Sequence, residues 1–252
     1  LWRGRILMAT GRNAEAEKEF RQAVDEQPDR EEAWLTLVDF LLVDGQPNQA
    51  RNVAGDARLS TPEARAQLAQ LFGDLETARS IYHEAYRNAP TPQRGLALAE
   101  LHVRSGRREE CIDLLQEMLR SERDIPGKQR LVARRLLARE IARRDLSDFD
   151  SALDLIGVNL QEADDKRTER KELARLYGIH PFPEHAAKVE EILNGLSRYG
   201  TLDATDLLLL AQALDTLGKS QEADQTWQNL LVRSDLTVAM RKEYIRRSLQ
   251  QE

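Results

Sequence analysis

Apolar residues along this chain recur at the spacing of a helix face. Trp34, Leu37, Val38 and Leu41 fall at steps of three and one, and Leu207, Leu210, Ala211 and Leu214 repeat that order. This periodicity places the side chains on one stripe of an α-helix. Read the same way, and with Thr61-Pro62 and Thr91-Pro92 as N-cap and first-helical pairs, the chain is predicted to hold about fifteen helices. Among them are helices over 62–72, 126–144, 148–163, 166–177, 183–198, 203–217, 220–233 and 236–249.

A longer period lies over the helical one. Leu7, Gly11, Ala16, Ala23 and Pro28 return 34 positions later as Leu41, Gly45, Ala50, Ala57 and Pro62. The inner pattern is a glycine, a small residue, a large or apolar residue, and another apolar residue. It occurs as Gly11/Ala16/Phe20/Ala23, Gly45/Ala50/Ala54/Ala57, Gly73/Ala78/Tyr82/Ala85, Gly106/Cys111/Leu115/Met118 and Gly218/Ala223/Trp227/Leu230. Glycine suits the left-handed residue that ends a helix. A small residue early in the following helix lets two helix backbones approach closely, and the later positions continue the same buried face.

These residues resemble the tetratricopeptide repeat, a helix-turn-helix unit of about 34 residues with a W-x2-L-G-x2-Y, A-x3-F and P pattern. Trp34, Leu37, Val38, Leu41, Ala50, Ala54 and Pro62 fill its slots in one copy, and Leu207, Leu210, Ala211, Leu214, Ala223 and Trp227 fill them in another. The first-helix glycine of the pattern is replaced by Val38, Ala99 or Ala211, which leads us to expect slightly looser pairing there. The resemblance implies an all-α, right-handed superhelical solenoid of antiparallel helix pairs. Residues 1–122 read as four units with the third shortened, and residues 123–200 as degenerate helix pairs. Residues 201–235 read as a C-terminal unit and residues 236–252 as a capping helix, all in one continuous solenoid.

Composition narrows the function. Lys and Arg total 37 against 43 Asp and Glu among 252 residues, a formal charge of −6, which argues against a nucleic-acid binder. The longest strongly apolar run, Leu207 to Leu214, is far short of the roughly 20 residues that span a bilayer. The chain therefore reads as soluble, cytoplasmic or periplasmic, with nothing to choose between the two. It opens at Leu1 rather than Met, which suggests a piece of a longer protein whose targeting segment would lie outside it.

No residue constellation points to catalysis, a metal or a cofactor. Gly218-Lys219-Ser220 lacks the earlier glycine of a phosphate loop, because Ala213 stands there. His180 and His185 flank Pro181-Phe182-Pro183-Glu184 without a third ligand, so a rigid connector is the simpler reading. His83 and His102 have no nucleophile motif beside them, and Cys111 occupies a helix-contact slot where it should be buried and inert. The carboxylates Asp148, Asp150, Glu162, Asp164 and Asp165 suit helix ends and solvent. The predicted helix over 126–144 is strongly basic, with Lys128, Arg135, Arg139 and Arg143 on one stripe. These cations either pair with acids in 145–150 or engage an acidic segment of a partner.

The expected function is a non-catalytic scaffold that binds a peptide or partner helix along the wall formed by the first helices. The resemblance assigns to that wall Arg5 and Met8, then Leu35, Asp39 and Leu42, then Leu96, Glu100 and Val103, and finally Leu208, Gln212 and Asp215. A clamp for chaperone C-terminal carboxylates would need Lys and Asn where Leu35 and Asp39 stand, so that ligand is disfavoured. The alternatives are a structural or regulatory arm of a larger enzyme or envelope assembly, and a nucleic-acid binder using the basic helix. Oligomeric state is not legible in the sequence.

Overall fold

Glycine ends one helix of each well-matched repeat. A computed structural model of the chain describes residues 1–120 and 125–250. In it Gly11, Gly45, Gly73, Gly106 and Gly218 have φ between 70° and 77°, a region that costs a residue bearing a Cβ about 1 kcal/mol or more. At Gly45 the return is clear. The Gln46 N–H donates to the Leu41 carbonyl at 2.8 Å and the Gly45 N–H to the Leu42 carbonyl at 3.2 Å, satisfying two carbonyls that the helix end would leave open. The first of these bonds, which spans five residues, recurs from Arg12 to Leu7, Asp74 to Ala69, Arg107 to His102 and Lys219 to Leu214.

The described residues contain fifteen α-helices and no strand. Seven antiparallel pairs follow one another: α1 Trp2–Ala9 with α2 Asn13–Glu26, α3 Glu31–Val43 with α4 Pro47–Asp56, α5 Pro62–Leu71 with α6 Leu75–Asn88, α7 Pro92–Arg104 with α8 Arg108–Arg120, α9 Gly127–Arg144 with α10 Phe149–Glu162, α11 Lys166–Ile179 with α12 Pro183–Ser197, and α13 Ala204–Thr216 with α14 Ser220–Leu231. A last helix, α15, runs Val238–Gln250. The chain divides into two compact units, Leu1–Arg120 and the described part of Ser121–Glu252. The expected boundary at 122/123, and residues 251–252 of the expected capping helix, lie outside the described residues.

Helix starts follow local chemistry. Thr61 and Thr91 accept from the N–H of Ala64 (3.2 Å) and Arg94 (3.3 Å), each with proline as the next residue. Asp203 and Asp206 form a reciprocal capping box at the start of α13, which satisfies two orphan donors at once.

The small residues of the repeat mark the closest packing. Ala16, Ala50, Ala78, Cys111 and Ala223 are fully buried, each the fourth residue of its second helix. The first-helix slots expected to pair loosely, Val38, Ala99 and Ala211, are fully buried as well. In the first unit Phe20 and Phe40 meet with ring centroids 5.3 Å apart. At Gly4 an added Cβ would lie 2.5 Å from the Phe20 ring, so glycine there admits the aromatic.

The two degenerate pairs keep the small residue and lose the glycine. Ala152 and Ala186 again stand fourth in α10 and α12 and are buried. Between α9 and α10 the turn is instead Asp145, whose carboxylate accepts from the Ser147 N–H at 2.9 Å, followed by a single 3-10 turn, Leu146–Asp148. After α11, His180 donates through Nε2 to the Ala142 carbonyl at 2.7 Å, closing one of the last carbonyls of α9. His185 donates through Nδ1 to the His180 carbonyl at 2.8 Å and stacks on Phe149 at 4.7 Å. The two histidines therefore serve as structural donors of the connector, and no group of three or more metal-type ligands occurs among the described residues.

The last helix packs inward through Met240, Tyr244 and Arg247. Tyr244 lies 5.8 Å from the Trp227 ring, and Arg247 reaches Asp215 at 2.8 Å and Asp224 at 2.6 Å. Its outer face is not the uniformly polar one of a simple cap, because Val238, Ile245 and Leu249 are exposed there. Among the described residues no helix is long and apolar enough to cross a membrane.

Candidate functional site

Helix α3 begins with two carboxylates, and the first becomes a clasp. Glu31 accepts from the backbone N–H and hydroxyl of both Ser60 and Thr61, at 2.5 to 2.9 Å. These bonds, led by the Thr61 hydroxyl and opposed by partial desolvation, bring its pKa down to about 2. The start of α5 is thereby tied to the start of α3. Glu32 pairs with Arg30 at 2.7 Å and Arg5 at 3.3 Å. Glu63 pairs with the Arg94 Nε at 2.6 Å, while Arg94 also donates to the Ala89 carbonyl at 3.0 Å. The hydrogen bond from Arg94 holds the Glu63 carboxyl below the usual carboxylate range.

These anchors set α1, α3 and α5 around a cleft of about 640 Å³. Arg5 and Met8 of α1 line it with Leu35, Thr36 and Asp39 of α3 and Ala64, Gln67 and Leu71 of α5. The cleft lies wholly within the unit Leu1–Arg120. Four of the residues assigned to the first-helix wall, Arg5, Met8, Leu35 and Asp39, meet in it. Leu35 is a floor residue, only 7% exposed, whereas Asp39 is exposed. Leu42 packs instead against the buried core of the first two pairs. Leu96, Glu100 and Val103 stand on α7 outside the cleft. Sequence reasoning missed Thr36, Gln67 and the acids Glu31, Glu32 and Glu63. A usable signal existed, since acids cluster in the first turns of α3 and α5, where helix dipoles favour them.

Leu208, Gln212 and Asp215 lie in the second unit. Gln212 borders an apolar hollow of about 380 Å³ with Tyr177, Leu209 and Ala213. Asp215 is committed internally, accepting from Trp227 Nε1 at 2.9 Å and from Arg247. Lys219, the lysine of the loop-like Gly-Lys-Ser, pairs with Glu190 at 2.6 Å.

The basic helix α9 finds its acids inside the chain, and they are not those of 145–150, apart from Asp148, which pairs with Arg144 at 2.7 Å. Arg135 lies 3.7 Å from Glu169, and Arg139 donates in bidentate fashion to Glu172, with Nη2 to Oε2 at 2.8 Å. Arg143 pairs with Glu140 of its own helix at 2.9 Å. Lys128 is exposed. The row continues through Arg175, which lies 3.5 Å from both Glu172 and Asp206, and through Lys171, which pairs with Asp203 at 2.8 Å and with Asp206. Glu140, Glu169, Glu172 and Asp206 are all buried. Arg135 and Arg139 of the stripe thus belong to a network of buried carboxylates and partly exposed cations that joins α9, α11 and α13.

Comparison with known proteins agrees with this construction. Residues 7–71, which include most of the cleft, match the tetratricopeptide repeat family. Over 190 residues the chain is 29% identical to anaphase-promoting complex subunit 7 of Arabidopsis thaliana, covering 72% of this chain and spanning about a third (33%) of that relative. A solved tetratricopeptide repeat protein from Parabacteroides merdae superposes with a TM-score of 0.67 at 12% identity, over 95% of this chain and 94% of that one. The type IV pilus biogenesis factor PilW superposes with a TM-score of 0.58 at 18% identity, over 96% and 94%. With its glycine-ended helix pairs, its buried small residues and a tetratricopeptide repeat match over residues 7–71, the chain has the fold of tetratricopeptide repeat proteins, one that suggests a protein-interaction scaffold.

Proposed function

We propose that the chain is a non-catalytic scaffold that holds a segment of a partner protein in the cleft across α1, α3 and α5. The cleft itself carries this reading. It is about 640 Å³, within the range of sites that accept side chains or small ligands, and it sits on first helices held in place by the Glu31 and Glu63 bonds. The name of the plant relative, a complex subunit, favours a partner within a multi-protein assembly, so an arm of such an assembly is the second reading.

A plug tests the first. Gln67 is exposed and lines the cleft, so Gln67→Trp should fill it without disturbing the core. A photo-crosslinker at position 67 should capture the partner, one at the exposed Gln116 of α8 should not, and Gln67→Trp should abolish binding. Capture from position 116 with binding unaffected by the plug would place the interface elsewhere.

A further inference from the structure

The cleft of the unit Leu1–Arg120 is not electrically balanced. Four carboxylates line it, Glu31, Glu32, Asp39 and Glu63, against the single cation Arg5. Glu32 is neutralised by Arg5 and Arg30, and Glu63 by Arg94 from just outside the cleft. Among the described residues the other two have no counter-cation. Glu31 is held by the hydroxyls and amides of Ser60 and Thr61, neutral donors that fix its charge without cancelling it. Asp39, exposed in mid-helix α3, makes no ion pair or side-chain hydrogen bond with the described residues. Beside these charges the floor is apolar, with Met8 and Leu35 reaching it from adjacent helices.

Resting on the reading of this cleft as the partner site, we infer that the segment it takes is basic and amphipathic, placing a Lys or Arg against Asp39 and an apolar side chain on Met8 and Leu35. An acidic segment would bring like charges together, and a neutral one would desolvate Asp39 without compensation. A cation reaching Asp39 answers both costs, and the apolar floor anchors it by burial.

The test is a selection from a random peptide library at low salt, using the whole chain as bait. Peptides that Gln67→Trp no longer binds should be enriched in Lys or Arg flanking apolar residues. The tightest of them should lose at least about tenfold in affinity both in Asp39→Lys and at high salt. Asp39→Asn should give a smaller loss, with the melting temperature unchanged in both variants. If cleft-dependent peptides emerge that are neutral or acidic, or that ignore Asp39→Lys, the cleft remains the site and the basic partner is wrong. If the selection yields nothing that the plug displaces, the cleft itself falls. The outer face of α15 carries Arg241 and Lys242 among exposed apolar residues, so a second copy is the rival occupant. Concentration-dependent self-association abolished by Asp39→Lys, seen by sedimentation, would overturn a foreign partner in its favour.

Discussion

The fourth residue of each second helix fixes how near two backbones come, and this holds even where the rest of the repeat has drifted. Ala186 is as buried as its counterparts in the clear repeats, while its neighbour Ala187 is exposed. Ala186→Leu should therefore destabilise the protein by about 1 to 3 kcal/mol through overpacking, as should Ala50→Leu and Ala223→Leu, while Ala187→Leu changes little. Denaturant unfolding of these variants checks it; equal midpoints for Ala186→Leu and wild type would remove α12 from the repeat register. A second residue-scale effect belongs to His102, which takes the slot held by Leu7, Leu41 and Leu214 in other repeats. Its Nδ1 is buried without a hydrogen-bond partner. Burial lowers its pKa from the ordinary 6.5; Glu110 opposes that shift, and Arg79, Arg107 and His83 reinforce it. The unfolded chain then takes up the proton first as pH falls below about 6.5, so native stability should decline in that range. His102→Leu should remove that part of the slope between about pH 7 and pH 5.5, read as unfolding free energy against pH. An unchanged slope would show that His102 binds its proton equally in the folded and unfolded chain.

At the scale of elements, α9 shows why a stripe of cations is not by itself a binding surface. Seven Lys and Arg residues against one Glu were plain in the sequence of this helix. Their partners were not, because Glu169 and Glu172 sit on α11, a repeat length away, and face inward. Arg139→Glu would place a second carboxylate against buried Glu172. We expect a loss of about 3 to 5 kcal/mol, partly recovered when Glu172→Arg is added, whereas Lys128→Glu should be nearly neutral. Urea unfolding of the three variants is the measurement. A stable Arg139→Glu protein would mean that the pair contributes nothing to holding α9 on α11. The same contrast explains which elements were legible. Pairs closed by glycine could be read because a left-handed turn demands one residue type. The turns after α9 and α11 could not, since Asp145 closes the first by accepting from the Ser147 N–H and His180 closes the second by donating to the Ala142 carbonyl of α9.

For the molecule as a whole, the fold was open to reading because every repeat restates the same burial problem, and five copies of one solution stand out from composition. The cleft was only half open to it. Arg5, Met8, Leu35 and Asp39 follow from slot positions on first helices, but Glu31, Thr61 and Glu63 enter through bonds between consecutive repeats, which no single-repeat pattern encodes. Those same bonds bear on how the chain reaches its native state. Hydrogen bonds between helices run over roughly one repeat, 30 positions from Thr61 to Glu31, 33 from Arg139 to Glu172 and 38 from His180 to Ala142. Contacts this local keep the loop-closure entropy small, and topologies built on them fold in microseconds to milliseconds. During synthesis each helix pair would meet its stabilising neighbour about two seconds to several seconds after leaving the ribosome, at 5 to about 20 residues added per second. Little apolar surface then waits long for a distant segment, and the first unit, with its cleft, can be complete while the second is still being made.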